Sequence, residues 1–461
     1  MNIQPLKEFR LGVAARHVRC VEVDLGTDTG FVFAYSETLN VDPCGITCYT
    51  HPMNLACYGS DGQQIWKKEL TMGTIPGVWT NPFIALDLDK DGVDEIFYVE
   101  NQSDVILEAG KTVVKRINGA TGREIGSYHF PAHNNQWERL CHAYRYQLFG
   151  GYVDGEPVFV MQQGTYRDMF FQCYNSDMSL RWERKIEYGD GPRASHCALV
   201  YDYDGDGKDE VIFGERIMSL DTGEDTVVLG KDFGGHSDVT NVFTDPKTGK
   251  RYIFCCREDG DYDGCPRALT YDMDGNVIWK DIYSDEWGHY IDDAHMHVGY
   301  VFNLENGKKA AYAWRRRIKK QITEDCLYDA LTGEKIDSPL KGLLKAASPI
   351  DINGDGISEF LISGGGVLPP DAVTPLRIMG SNGNTAKYIG GNTVTVGKWF
   401  GFAGEQVMVN YPNEQVVRIW GDLDAVEGET IKKKYSNGYH KFMNKLNGNG
   451  YTYSHSNRCD L

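Results

Sequence analysis

Two kinds of chemistry are suggested by the residue types and spacings of this chain: cation binding by alternating carboxylates, and proton transfer by grouped His, Tyr and Arg side chains. Three segments read Asp-x-(Asp/Asn)-x-Asp-Gly-x-x-Glu: Asp87, Asp89, Asp91 and Glu95; Asp202, Asp204, Asp206 and Glu210, with Asp209 beside it; and Asp351, Asn353, Asp355 and Glu359. Alternate carboxylates project to one side of a tight loop, Gly permits the turn, a backbone carbonyl adds an oxygen and the final Glu closes the shell. This is the hard oxygen donor set that calcium selects. Each loop leads straight into a strand-like run, such as Ile96-Phe97-Tyr98-Val99 or Val211-Ile212-Phe213-Gly214, where a calcium sensor would have helices. The expectation is a set of structural calcium cages. Solvated acidic turns are the plain alternative, and three matches at one phase of a repeat argue against it.

The titratable side chains suited to catalysis are also grouped. His142, Tyr144 and Arg145 stand together, followed by Tyr166-Arg167, then Arg193-Ala194-Ser195-His196, Gly234-Gly235-His236-Ser237-Asp238, Arg257, and His289, His295 and His297. Convergent His, Tyr and Arg suit removal of a proton beside a carboxylate. The C5 proton of a uronic acid becomes acidic enough once Arg or a cation neutralises that carboxylate, after which His or Tyr can serve as base and as acid toward the leaving oxygen. The candidate catalytic set is His196, His236, Tyr166, Arg193, Arg257 and His142. Taken singly, each His has an ordinary structural reading; the grouping carries the argument. His295-Met296-His297 alternates, with Cys255, Cys256 and Cys265 upstream, so a tetrahedral zinc site is conceivable, although no pair has zinc-finger spacing and packing is the simpler account.

The elements that must position these residues repeat. An apolar strand, a turn of Asp or Asn with Gly, and a second strand often closed by Trp recur from Tyr58-Gly59-Ser60-Asp61-Gly62 to Trp66. The pattern returns at Asn118-Gly119-Ala120-Thr121-Gly122, at Tyr174 to Trp182, at Asp221-Thr222-Gly223, at Tyr271 to Trp279, at Tyr328 to Gly333 and at Ser381-Asn382-Gly383. Val417-Arg418-Ile419-Trp420-Gly421 is a candidate start for an eighth unit. Asp-Gly and Asn-Gly pairs supply the positive φ that tight hairpins need, and a period of roughly 40 to 60 residues is that of a propeller blade. The fold class expected is all-β: a single β-propeller of seven or eight four-stranded blades, one domain over residues 1–461, with calcium-binding loops. The C-terminal segment is expected either to form a full blade or to complete one with the N-terminus. In a propeller the segments leading into the innermost strands converge on one end of the central channel, which would make neighbours of His196 and His236.

Composition sets the remaining bounds. With 461 residues, 41% of them hydrophobic, and 52 glycines, the chain can build a large all-β core. A net charge of -18 argues against nucleic acid, since Arg315-Arg316-Arg317-Ile318-Lys319-Lys320 is the one short basic run. No long apolar stretch implies a membrane span. The twelve cysteines are irregularly spread and read mostly as buried thiols. Together with an N-terminus lacking an apolar leader, this favours the cytoplasm; a secreted or periplasmic protein without its leader would look the same.

The run Ser195-His196-Cys197-Ala198-Leu199-Val200-Tyr201-Asp202 through Asp209-Glu210-Val211-Ile212-Phe213-Gly214, followed by Gly235-His236-Ser237-Asp238, resembles the central signature of propeller-type polysaccharide lyases, the rhamnogalacturonan lyases and related ulvan lyases. Tyr166 to Tyr174, and Gly404-Glu405 onward to Arg418-Ile419-Trp420, resemble that group as well. The resemblance implies β-elimination at a uronic acid of an acidic oligo- or polysaccharide, with His and Tyr as base and acid and Arg neutralising the carboxylate. His196 and His236 match the family's positions; Tyr166 and the choice of Arg do not align uniquely. One departure is the blade after His236, where Asp245-Pro246-Lys247-Thr248-Gly249 and Cys255-Cys256-Arg257 stand without an expected His or Glu. Two alternatives stay open: a glycoside hydrolase on rhamnosyl-glucuronate linkages, which would usually need a carboxylate pair, and a non-catalytic carbohydrate-binding propeller.

Overall fold

In the computed structural model, eight antiparallel sheets are arranged as a β-propeller. The structure describes residues 1–45, 49–105, 108–130, 144–193, 195–230, 233–258, 266–282, 294–317, 322–363 and 376–461. From the channel outward, blade 1 is His17–Asp24, Thr29–Ser36, Asn54–Tyr58 and Gln64–Glu69; blade 2 is Phe83–Leu86, Glu95–Asn101, Thr112–Asn118 and Glu124–His129. Blade 3 is Tyr146–Val153, Glu156–Gln163, Met169–Tyr174 and Leu180–Ile186, and blade 4 is Leu199–Tyr201, Glu210–Phe213, Arg216–Ser219 and Asp225–Val228. Blade 5 is Ser237–Thr244, Arg251–Arg257, Ala268–Asp272 and Val277–Asp281. Among the described residues blade 6 has three strands, Ala294–Asn303, Lys309–Arg317 and Ile322–Asp329, with Lys335 bridging to Tyr328. Blade 7 is Ala347–Ile350, Glu359–Ile362, Arg377–Met379 and Thr385–Tyr388.

Blade 8 joins the two ends of the chain. Asn392–Gly397, Gln406–Tyr411 and Val416–Asp422 are followed by the N-terminal strand Ile3–Arg10, paired antiparallel from Ile3↔Asp422 to Arg10↔Val416. This settles the count at eight: Val417–Gly421 belongs to a third strand rather than opening a blade, and the N-terminus supplies the fourth. Inner strands such as Phe83–Leu86 are buried throughout, because both their faces pack, whereas the outermost Gln64–Glu69 alternates exposed and half-buried.

The repeated Trp and Gly lock consecutive blades together. Trp66 Nε1 donates to Gly119 O at 2.7 Å, Trp182 Nε1 to Leu220 O at 2.8 Å and Trp279 Nε1 to Ala330 O at 2.9 Å, each from an outermost strand to the hairpin of the next blade. The glycine of that hairpin lies on the indole: Gly223 has φ +74, and a Cβ there would come within 2.6 Å of Trp182 Cε3. Gly223→Ala therefore combines backbone strain with overpacking and is expected to destabilise the fold by about 1–3 kcal/mol, read as a lower denaturation midpoint.

Beyond Asp422 the chain leaves the blades. Three short helices follow, α1 (Glu429–Ser436), α2 (Tyr439–Leu446) and α3 (Thr452–His455). α2 packs on the innermost strands of blades 1 to 4, so this segment fills the channel. It rises to Asn449-Gly450-Tyr451, where Asn449 Oδ1 accepts from Leu148 N at 2.8 Å, and returns to Asp460, whose N donates to Val242 O at 2.9 Å. Among the described residues no helix is long and apolar enough to cross a membrane.

Candidate functional site

Each innermost strand runs from one face of the propeller, here the upper, to the other. Trp79, Arg145, His196 and His236 all lie just ahead of innermost strands, and Tyr166 lies in the connection that returns to the same face, so these residues meet at the upper mouth. The acidic loops follow innermost strands and lie on the lower face.

His196 and His236 are each 3% exposed, with ring centroids 5.0 Å apart. His196 Nδ1 is 2.9 Å from Asp238 Oδ1, within ion-pair distance. His236 Nε2 is 3.7 Å from the same oxygen and 2.7 Å from Glu258 Oε2. Tyr166 Oη lies 3.3 Å from His196 Nε2, and its ring centroid is 4.6 Å from that of His236. Arg145, 2% exposed, is layered between Trp79 and Tyr166, its Cζ 4.5 and 4.6 Å from the two ring centroids, with Asp42 Oδ1 3.4 Å from Nη2. From below, Tyr451 of the channel segment donates its N–H to His196 O at 2.8 Å and sets its ring 5.1 Å from the imidazole. A side chain at Gly450 would collide with His196 O at 2.6 Å and with Trp79. This close approach explains why glycine stands there.

Burial holds the His196 imidazole below its ordinary value of 6.5; Asp238 pulls the other way, and His236 and Arg145 add to the lowering. The unfolded chain thus binds the extra proton between the two values. The site's contribution to stability is complete above 6.5 and is lost as pH falls toward the depressed value. At neutral pH His196 is uncharged and can exchange a proton or bind a cation.

One nitrogen or oxygen from each of His196, His236 and Asp238 lies within 4.8 Å of the others, a set able to hold a metal ion. Glu258, on His236, would complete the set.

Arg193 is 4% exposed and lies over Tyr188, 4.7 Å from Cζ to the ring centroid, while its N–H donates to Gly235 O at 2.9 Å. Arg257 is fully buried: Nε lies 2.7 Å from Glu215 Oε1, and Nη2 donates to Phe233 O and Gly234 O, each at 2.6 Å. Its charge braces the loop ahead of His236 from behind. His142 lies outside the described residues, as do His289, Cys265 and the side chains of His295 and His297. Cys255 and Cys256 belong to separate core clusters, and burial pushes both thiols well up. Cys20, Cys57, Cys173, Cys197, Cys326 and Cys459 are buried as well.

The blade after His236 does supply the acidic residue that the sequence appeared to lack. It is Glu258, directly after Arg257. Asp238, Trp79 and Tyr451 also went unassigned. Asp238 and Glu258 were findable as the carboxylates flanking His236 in strand order, but the two aromatics had no signal separating them from core residues.

The three acidic loops share one geometry. The closing Glu accepts a backbone N–H from within its loop, Glu95 from Leu88 at 2.8 Å, Glu210 from Tyr203 at 2.9 Å and Glu359 from Ile352 at 3.1 Å. Asp91, Asp206 and Asp355 each accept from the N–H two residues on, at 2.8 Å. Asp87, Asp89 and Glu95, and likewise Asp202, Asp204 and Asp206, bring oxygens close enough for one ion. The first loop differs in having Arg116, whose Nη2 reaches Asp89 at 3.2 Å and also pairs with Glu95. In blades 4 and 7 the same register position is Ile217 and Ile378.

No protein-family model matches the chain. Two curated proteins of Bacillus subtilis (strain 168) are similar in sequence: the rhamnogalacturonan exolyase YesX, 26% identical over 245 residues, and the rhamnogalacturonan endolyase YesW, 26% identical over 246 residues. Each alignment takes in 46% of this chain and 39% of the relative, so the chain spans well under half the length of the curated relatives it matches. Among solved structures, the fold is similar to that of rhamnogalacturonan lyase YesW, with a TM-score of 0.74 and 21% identity over 98% of this chain and 80% of that one. It is similar as well to the Bacillus licheniformis rhamnogalacturonan lyase PL11, with a TM-score of 0.77 and 20% identity over 99% of this chain and 81% of that one. By its own motif and by these likenesses, the chain resembles the rhamnogalacturonan lyases, propeller-type polysaccharide lyases, over 46% of its length in sequence and nearly all of it in fold.

Proposed function

We propose that the protein is a polysaccharide lyase that cleaves a rhamnose–uronate glycan by β-elimination at the upper mouth of the channel. The observation that carries this reading is the Tyr166–His196 contact at 3.3 Å, set beside His236, Asp238 and Glu258. An uncharged His196 facing a phenol forms a proton-transfer pair of the kind elimination requires, one group taking the C5 proton and the other protonating the leaving oxygen. Arg145 supplies positive charge beside this pair. A divalent cation held by His236, Asp238 and Glu258 would neutralise the substrate carboxylate and so acidify the adjacent C–H, leaving the His196 imidazole to exchange the proton. Calcium in the three acidic loops is part of the same proposal, with a structural role on the lower face.

Asp238 and Glu258 are engaged by imidazoles, which disfavours their use as the free acid and base of a hydrolase. The test is ultraviolet absorbance of the conjugated unsaturated uronate during incubation with rhamnogalacturonan and rhamnosyl-glucuronate glycans. Absorbance growth that Tyr166→Phe lowers about 10²- to 10⁴-fold is the expected result. Sugar release without absorbance would mean hydrolysis, and neither signal would leave a binding propeller.

A further inference from the structure

The lower face carries a second cavity, of about 450 Å³, between blades 1 and 8 and the helices α1 and α2. Its size is within the range of small-molecule sites, about 300–1,000 Å³. Its lining combines aromatic side chains with charged and hydrogen-bonding groups: Trp399, Phe400, Asp28, Ser60, Lys441 and Asn444, whose Nδ2 donates to the lining carboxylate of Glu22 at 3.1 Å. It is separate from the His pair, because Phe400 follows the lower end of the innermost strand Asn392–Gly397 whereas His196 and His236 precede the upper ends of theirs.

The aromatic part of this lining is built in an unusual way. Phe400 has φ +56, a left-handed conformation disfavoured for an aromatic residue, and the residue remains 40% exposed. The ring packs against Phe31, with centroids 5.9 Å apart, and the strained position that presents its remaining surface marks a candidate functional site. The adjacent Trp399 is 6% exposed, with its indole Nε1 lacking a hydrogen-bond partner. The Lys7 ammonium lies 5.6 Å from the Phe400 ring centroid, and the Lys441 side chain is 63% exposed, its nearest carboxylate 4.0 Å away at Asp24. Asp28 is held in place at the rim by the Ser60 N–H and hydroxyl, at 3.1 and 2.8 Å.

We infer that this cavity is a non-catalytic binding site for a uronate-bearing sugar unit of a glycan chain, distinct from the catalytic mouth. The apolar C–H face of the sugar ring stacks on Phe400, its carboxylate meets Lys441, and its hydroxyls meet Asp28, Ser60 and Asn444. The choice of glycan rests on the function proposed above; the site itself does not. It would hold a distant part of the polymer, so it would matter for long chains and little for short ones.

The test is calorimetric titration of the full-length chain, carrying His236→Ala to stop turnover, with an oligosaccharide of alternating rhamnose and galacturonate. Phe400→Gly in that background is expected to remove one binding equivalent, or to weaken affinity by about 10-fold or more, while the melting temperature holds or rises, because glycine favours φ +56. Lys441→Ala, at an exposed position, is expected to abolish preference for the acidic oligosaccharide over a neutral one. An isotherm unchanged by both substitutions would overturn the site, as would a lower melting temperature for Phe400→Gly with unaltered binding, which would make the ring mere packing. Binding that depends on Phe400 in a protein without lyase activity would sink the catalytic reading alone; lyase activity with Phe400-independent binding would sink this one alone.

Discussion

His196→Ala should reduce uronate elimination about 10²- to 10⁴-fold, the usual contribution of a positioned acid or base, with circular dichroism unchanged. The fold should tolerate the change because Tyr451 anchors to the backbone carbonyl of His196, which alanine retains. The pH profile separates a chemical role from a packing role. Since burial holds the imidazole below 6.5, the acid limb of the rate profile should fall below that value. Asp238 opposes the lowering, so Asp238→Asn should move the limb further down as well as slow the reaction. A rate within a few-fold of the parent, or an acid limb indifferent to Asp238, would remove His196 from the chemistry.

How much of this site the sequence exposes depends on how each residue signals itself. The acidic loops are legible because their chemistry lies within one short segment, where carboxylate spacing and Gly together specify a turn. The Trp and Gly pairs announce the blades because each hairpin repeats the same steric demand, met at Gly223 by the indole of Trp182. His196 and His236 could be brought together by reasoning only because both stand ahead of an innermost strand. Glu258 belongs to the same mouth but comes after a second strand, a phase the repeat argument did not follow. Tyr451 is harder still, since it reaches His196 through a channel segment with no blade periodicity. Nothing in the sequence after Asp422 distinguishes a helix filling the channel from a further blade, because both need apolar residues such as Met443 and Leu446, buried here against inner strands. Arg257 shows the converse: a guanidinium near a candidate site reads as an anion binder, whereas in the fold it is fully buried with Nε 2.7 Å from Glu215.

Calcium removal should produce the largest change in stability, and its pH dependence has a definite sign. Burial first, then the neighbouring aspartates, push Glu210 and Glu359 from 4.5 up to about 8. Burial pushes Glu95 to about 7, with its Arg116 contact opposing the shift. After chelation the folded state therefore holds protons that the unfolded chain releases above 4.5, so stability should decline as pH rises from about 4.5 to about 8. Calcium favours the ionised carboxylates, and its binding releases those protons. The melting-temperature gap between calcium-loaded and chelated protein should therefore be wider at about pH 8 than at about pH 6. Each occupied site should contribute about 2.7 kcal/mol when calcium is 100-fold above its Kd. The first loop should respond least, because Arg116 already places a guanidinium against Asp89 and Glu95. Arg116→Ile, which installs the residue type found in register at Ile217 and Ile378, should tighten calcium binding at that loop. Equilibrium dialysis with calcium-45 would read the change directly. Melting temperatures indifferent to chelator at both pH values would mean that the loops are held by their own hydrogen bonds, with Asp91, Asp206 and Asp355 clasping the turns unaided.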